Sequence, residues 1–332
     1  MRHVLERRFY SAGIALSALV MLLVGVLAVP LRGSAGSLSM TVIGMFPRLV
    51  GEFAYADLKS ARQYPWFSQF REHLLPPRFR QFEQILSSAG VHANTQVEEV
   101  AWGELPLSSN GKEAIGVALG SFDLSSIEDR FKQQKLSVVD YRGLHLYSGA
   151  IGSDDIFVTF LDSSTAAFGP KSALEKLVDV RMGTGESLLT NAPLFPLINE
   201  TNSGSVFWAV LDKSNTHFAM QQLVGQATQF RQAATVISRV HAMMISVDGG
   251  SGIDGRFQVV CDSVDDANLL GAALQLGVMY QRYTDARSHP DVAKVLDNVR
   301  IALSGDRLMV EAPVSEEQLD ALIKSISVNL PM

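Results

Sequence analysis

Seven histidines and one cysteine are the side chains here best suited to acid–base, nucleophilic or metal chemistry, and their spacing groups none of them. His3, His73, His92, His145, His217, His241 and His289 are scattered along the chain. No HExxH pair occurs, so the helix-borne zinc arrangement of metallohydrolases is missing. Cys261 ends the stretch Arg256-Phe257-Gln258-Val259-Val260-Cys261, which reads as a strand. A single thiol there is expected to be buried and inert. It also excludes an intramolecular disulfide and a zinc ribbon.

Glycine and acid motifs lead no further. There is no GxSxG elbow. Gly249-Gly250-Ser251-Gly252 precedes a strand instead of a helix N-terminus, so it reads as a turn and not a phosphate cradle. Gly169-Pro170-Lys171-Ser172 lacks the upstream glycine of a P-loop and reads as a helix start. Glu98-Glu99, Asp154-Asp155, Asp265-Asp266 and Glu316-Glu317 are adjacent acids. Neighbours in sequence point apart on a strand and about 100° apart on a helix, so none forms a general acid/base pair. The sequence therefore leans away from an enzyme and names no catalytic residue, cofactor or metal ligand.

One aromatic and basic cluster remains: Tyr64, Trp66, Phe67, Phe70, Arg71, Arg78, Phe79, Arg80 and Phe82. It reads either as a helix core with a cationic rim or as a patch touching a membrane surface or a partner, since arginine and aromatics are enriched at interfaces. Met220, Met243, Met244, Met279 and Met309 read as core filler, or as the lining of an apolar groove.

The elements that must position such groups begin after a hydrophobic N-terminal segment. No charged residue occurs from Phe9 to Leu31. At 1.5 Å rise per residue, about 20 such residues span a bilayer's hydrocarbon core. That length favours a transmembrane anchor over a cleaved signal, whose apolar region is shorter. Gly33-Ser34-Ala35 keeps cleavage open as the competitor. Arg2, Arg7 and Arg8 precede the segment, which predicts a cytoplasmic N-terminus and an extracytoplasmic bulk, periplasmic in a bacterium, or secreted if the segment is cleaved. The expected divisions are residues 1–8 as a cytoplasmic tip, 9–31 as anchor, 32–48 as linker, 49–182 as a first module, 183–204 as a connecting loop and 205–330 as a second module.

Within these modules, period-2 runs predict strands at 49–58, 97–105, 114–122, 136–140, 144–148, 156–161, 165–168, 205–211, 242–248, 253–261, 300–303 and 308–312. Helical spacing predicts helices at 78–89, 216–240, 262–286 and 291–298, with shorter ones from Ser125, from Gly169-Pro170 and after Ser315. Ser125 with Glu128, and Ser315 with Gln318, have capping-box spacing. The grammar of strand, helix, hairpin and capped helix runs twice. The predicted class is α+β: a mostly antiparallel sheet with helices packed on one face, in two repeated modules.

Tyr55-Ala56-Asp57-Leu58, Gly116-Val117-Ala118-Leu119-Gly120-Ser121-Phe122, Ala167-Phe168-Gly169 and Trp208-Ala209-Val210-Leu211-Asp212 together resemble a loose group of bacterial extracytoplasmic proteins. The resemblance implies an N-terminal membrane segment and repeated strand–helix modules, and no activity. The net charge of −6 argues against a nucleic-acid partner. The expected function is that of a membrane-anchored, non-enzymatic binding or accessory protein with a protein partner. The alternatives are a binder of lipid or another small hydrophobic ligand between long helix and sheet, and an enzyme whose site is assembled from distant residues.

Overall fold

The computed structural model describes residues 36–64, 67, 77–106, 112–149, 156–224, 237–249, 252–288 and 290–318. The expected anchor, 9–31, lies outside them, as do the expected turn at 108–111, Asp154-Asp155 and the apolar face of the last helix. No helix among the described residues is long and apolar enough to cross a membrane. The chain divides into two compact units, one of Ser34–Ala209 and one that includes Val210–Met332.

In the first unit the strands are β1 (Glu52–Asp57), β2 (Val97–Pro106), β3 (Lys112–Gly120), β4 (Ser137–Tyr141), β5 (Leu144–Gly149), β6 (Ile156–Asp162), β7 (Thr165–Gly169) and β8 (Phe207–Leu211), inside which the boundary falls. Their order is β8-β1-β2-β3-β7-β6-β5-β4. Helices α1 (Met40–Ile43), α2 (Leu58–Ala61), α3 (Pro77–Ser88), α4 (Ala93–Gln96), α5 (Leu124–Gln133), α6 (Lys171–Arg181) and α7 (Phe195–Thr201) intervene. The predicted α+β class and antiparallel pairing are present.

Strand register decides which face each helix covers. Gly116 and Val158 both lie opposite Phe168. On that face the rings of Phe79 and Phe82 of α3 sit 5.9 and 4.5 Å from the Phe168 ring. Any side chain at Gly116 would collide with that ring. Val117 and Ala167 oppose each other on the other face. There the Ser172 hydroxyl of α6 donates to Glu113 at 2.9 Å, and Leu174, Leu177 and Val178 are buried. Helices therefore cover both faces of this sheet, where the sequence pattern suggested one. The physical reason is visible in β1, whose Phe53, Ala54, Tyr55, Ala56 and Asp57 are all buried. A strand covered on both sides reads as a continuous apolar run instead of an alternation.

Three local readings change. The helix at 124–133 is capped by Asp123, which accepts from Ser126 N–H at 3.3 Å. The hydroxyls of Ser125 and Ser126 also donate to Asp123, so Ser125 is not the cap. Residues 38–50, counted with the linker and first strand, place Leu38, Val42, Ile43, Phe46 and Val50 in the core. The Asn202 side chain clips Leu38 by both backbone groups, accepting from its N–H and donating to its C=O, each at 2.8 Å. The expected loop at 183–204 carries a 3-10 turn (Leu188–Thr190) and α7, with Leu188, Leu194 and Ile198 buried.

The second unit contains α8 (Lys213–Val224), β9 (Val240–Gly249), β10 (Gly252–Cys261), α9 (Val264–Ser288), α10 (Pro290–Asn298), β11 (Arg300–Ser304) and β12 (Arg307–Ser315). Its strands run β11-β12-β10-β9, all antiparallel. Read from the first hairpin, β9-β10-β12-β11 has the connectivity of β2-β3-β7-β6: the second strands of two hairpins meet at the centre. The reciprocal Ser315–Gln318 capping box is present, with Ser315 N–H donating to Gln318 Oε1 at 2.9 Å and Gln318 N–H to Ser315 Oγ at 3.2 Å.

Candidate functional site

Helix α9 carries six of the twelve exposed large hydrophobic side chains among the described residues: Val264, Leu269, Leu276, Met279, Tyr280 and Tyr283. Its start is set by Ser263, whose hydroxyl accepts from Asp266 N–H at 3.2 Å and donates to the Asp266 carboxylate at 2.6 Å. Arg239 donates to the other oxygen of Asp266 at 2.6 Å. These bonds, the hydroxyl's first, hold the Asp266 carboxyl below the usual aspartate range. Asp265 and Asp266 also place negative charge at the positive end of the helix dipole. Pro290 opens the next helix, α10, and an Arg282–Asp297 ion pair ties the two together.

The inner face of α9 is filled. Ala267 and Leu270 are buried. Gly271 lies so near β11 and β12 that an added Cβ would sit 3.2 Å from Leu303 and 3.3 Å from Leu308. The outer face is where the pattern departs from that of an ordinary surface helix. Leu269 is 54%, Leu276 67%, Met279 63%, Tyr280 45% and Tyr283 83% exposed. A helix apolar on both faces ordinarily has both covered. Contiguous exposed apolar surface marks an interaction site.

Among the described residues, the first unit holds a cluster of titratable groups raised by burial. Asp57 and Glu99 are direct cross-strand partners. Tyr55 donates its hydroxyl to Glu99 at 3.1 Å, and Asp57 accepts from Ser60 N–H at 2.9 Å and from its hydroxyl at 2.6 Å, capping α2. Burial raises the Tyr55 phenol far above its ordinary value, and the charge of Glu99 adds to this. Burial also raises Glu99, with the Asp57 charge adding and the Tyr55 hydrogen bond opposing. Such a phenol stays protonated at neutral pH and is no base or nucleophile. The Glu99 carboxyl can hold a proton, which is one half of acid–base chemistry. Cross-strand register joins these residues across 44 positions of sequence, so only a correct pairing of 52–57 with 97–106 could have found them.

Other candidates are placed singly. Cys261 is buried, and burial first, then Asp266, Asp262 and Asp306, push its thiol up to about 11, which suits the inert reading. His145 Nδ1 and Asp140 lie 2.5 Å apart on the exposed β4–β5 edge. No group of three or more metal-ligating side chains occurs among the described residues. Of the aromatic and basic cluster, Phe67, Phe79 and Phe82 are buried, Arg80 is exposed and Tyr64 is half-buried. Trp66, Phe70, Arg71 and the Arg78 side chain lie outside the described residues. Phe79 and Phe82 meet over Phe168.

No protein-family model matches the chain. No curated protein sequence matches it either. Its fold is similar to solved structures of TP0453. Crystal form III matches at 13% identity over 86% of this chain and 99% of that one, with a TM-score of 0.49. Crystal form I matches at 13% identity over 89% and 99%, with a TM-score of 0.47.

Proposed function

We propose that this chain is a membrane-tethered binding protein, held by residues 9–31 with its folded units outside the cytoplasm, and that the outer face of α9 is its binding surface. The exposed row of Leu269, Leu276, Met279 and Tyr283 carries the reading. Methionine and tyrosine are among the residues enriched where proteins meet. The repeated-module reading is supported by the shared connectivity of β2-β3-β7-β6 and β9-β10-β12-β11. The alternative of an apolar ligand between the long helix at 216–240 and the sheet falls on residues of which 225–236 lie outside the described ones.

A photo-cross-linking side chain at position 276 or 283 of the full chain, activated in intact membranes, tests the proposal. Adducts of defined mass are expected there and not at exposed Ser304. Adducts should vanish when Leu269→Ser is added to the labelled chain, with thermal stability changed by no more than about 0.5 kcal/mol. Equal labelling at all three positions, or none, removes the proposal.

A further inference from the structure

We infer that the outer face of α9 binds the same face of a second copy of this chain, the two helices antiparallel about a twofold axis at Leu276. The inference rests on the binding-surface reading above and names the partner. Leu269, Ala272, Leu276, Met279 and Tyr283 are spaced 3, 4, 3 and 4, the seam of a two-helix coiled coil. All five are exposed.

The two halves of this seam differ in bulk. Ahead of Leu276 stand Ala272 and, beside it, Ala273; beyond it stand Met279 and Tyr283. A parallel pair would put alanine against alanine at one end, leaving a void, and crowd tyrosine against tyrosine at the other. Reversing one helix about Leu276 keeps leucine against leucine at the axis and puts residue 272 against 280, 273 against 279 and 269 against 283, so Met279 and Tyr283 each meet a smaller side chain. Cores and interfaces favour that alternation because both voids and overpacking cost free energy.

Charge points the same way. The antiparallel register sets position 265, an aspartate, against position 287, an arginine; the parallel one sets aspartate against aspartate. Antiparallel helices also oppose their dipoles. The area is sufficient. With a whole aromatic side chain worth roughly 150–250 Å², exposures from 54% at Leu269 to 83% at Tyr283 leave about 500 Å² per copy. A pair then buries about 1,000 Å², the size a specific interface must reach. One self-complementary patch used twice is the ordinary geometry of a twofold dimer.

The test is disulfide trapping of the full chain in its native membranes. Cys261 is buried, so an introduced thiol is the accessible one. Under mild oxidation Leu276→Cys, which sits at the axis, is expected to give a species of twice the chain's mass. Leu269→Cys alone should not, whereas Leu269→Cys mixed with Tyr283→Cys should. A doubled band from Leu269→Cys alone means a parallel pair and overturns the geometry. Equal trapping through Ser304→Cys means random collision and overturns the pairing. So does failure of every α9 thiol to trap, as expected if a lipid surface or another segment of this chain covers the stripe. If trapping fails while position 276 still gives an adduct with a different protein, the binding-surface reading stands and the second copy is excluded.

Discussion

Helices α5 and α9 hold the same place in the chain order of their units, each following a hairpin, but they solve the surface problem in opposite ways. Helix α5 has 10 residues. It buries Ile127 and Phe131 and turns Ser125, Asp129, Lys132 and Gln133 outward. Helix α9 has 25 residues and is apolar inward and outward. One helix on the sheet needs only a narrow apolar stripe to be stable, and the outward Leu269, Leu276, Met279 and Tyr283 of α9 are additional to it. The fold requires the inner stripe, and the outer one is the proposed binding surface.

The strongest break of this contrast is Phe131→Ala. Its ring is buried against Tyr147 at 4.8 Å and Phe160 at 6.4 Å. Truncation should cost about 3–5 kcal/mol in urea unfolding; a loss below about 1 kcal/mol would show that α5 is as dispensable as the outside of α9. Next comes Gly271→Val on the inner side of α9. The added groups must displace Leu303 and Leu308, at a cost of about 1–3 kcal/mol, whereas Leu276→Val on the outer side should leave the urea midpoint unchanged in chain diluted below pairing. Equal effects at the two positions would mean that the outer face is packed within the monomer.

The smallest effect distinguishes the units by pH. Glu99 is raised in the folded state, so its contribution is fully present below the ordinary glutamate value and is lost as pH rises through the higher folded value. Asp266 is lowered, so its contribution is present above the ordinary aspartate value and is lost as pH falls through the lower folded one. Glu99→Gln should thus stabilise the chain at pH 7.5, with the gain shrinking toward pH 5. Asp266→Asn should weaken it at neutral pH, with the deficit shrinking only below about pH 4. Urea midpoints of both variants against pH measure this, and profiles of the same sign would refute the assigned environments.

Much of the strand framework was legible because hairpins leave local marks. The runs at 97–105 and 114–122 predicted β2 and β3, and those at 300–303 and 308–312 predicted β11 and β12. Caps were harder. Asp123 and Ser125 both lie within reach of a helix start, and whether Asp123 accepts from Ser126 N–H or Ser125 from Glu128 N–H depends on backbone angles that sequence does not state. The outer face of α9 was missed for a different reason. Met279 read as core filler because apolar spacing says that a residue seeks cover, not whether the same molecule supplies it. Asp57 and Glu99 were invisible as a pair because register, not proximity in sequence, sets them opposite each other.

The clip between Leu38 and Asn202 has a mechanical meaning. Any pull on the residues ahead of Ser37 enters the folded unit at Leu38, whose two backbone bonds to one amide side chain share the load with its own buried side chain. Asn202 lies 164 positions away in sequence, so the clip joins the start of the described chain to the stretch just ahead of β8. The clip is a strain relief, and Asn202→Ala should lower the force at which the first unit opens long before it changes the temperature at which it melts.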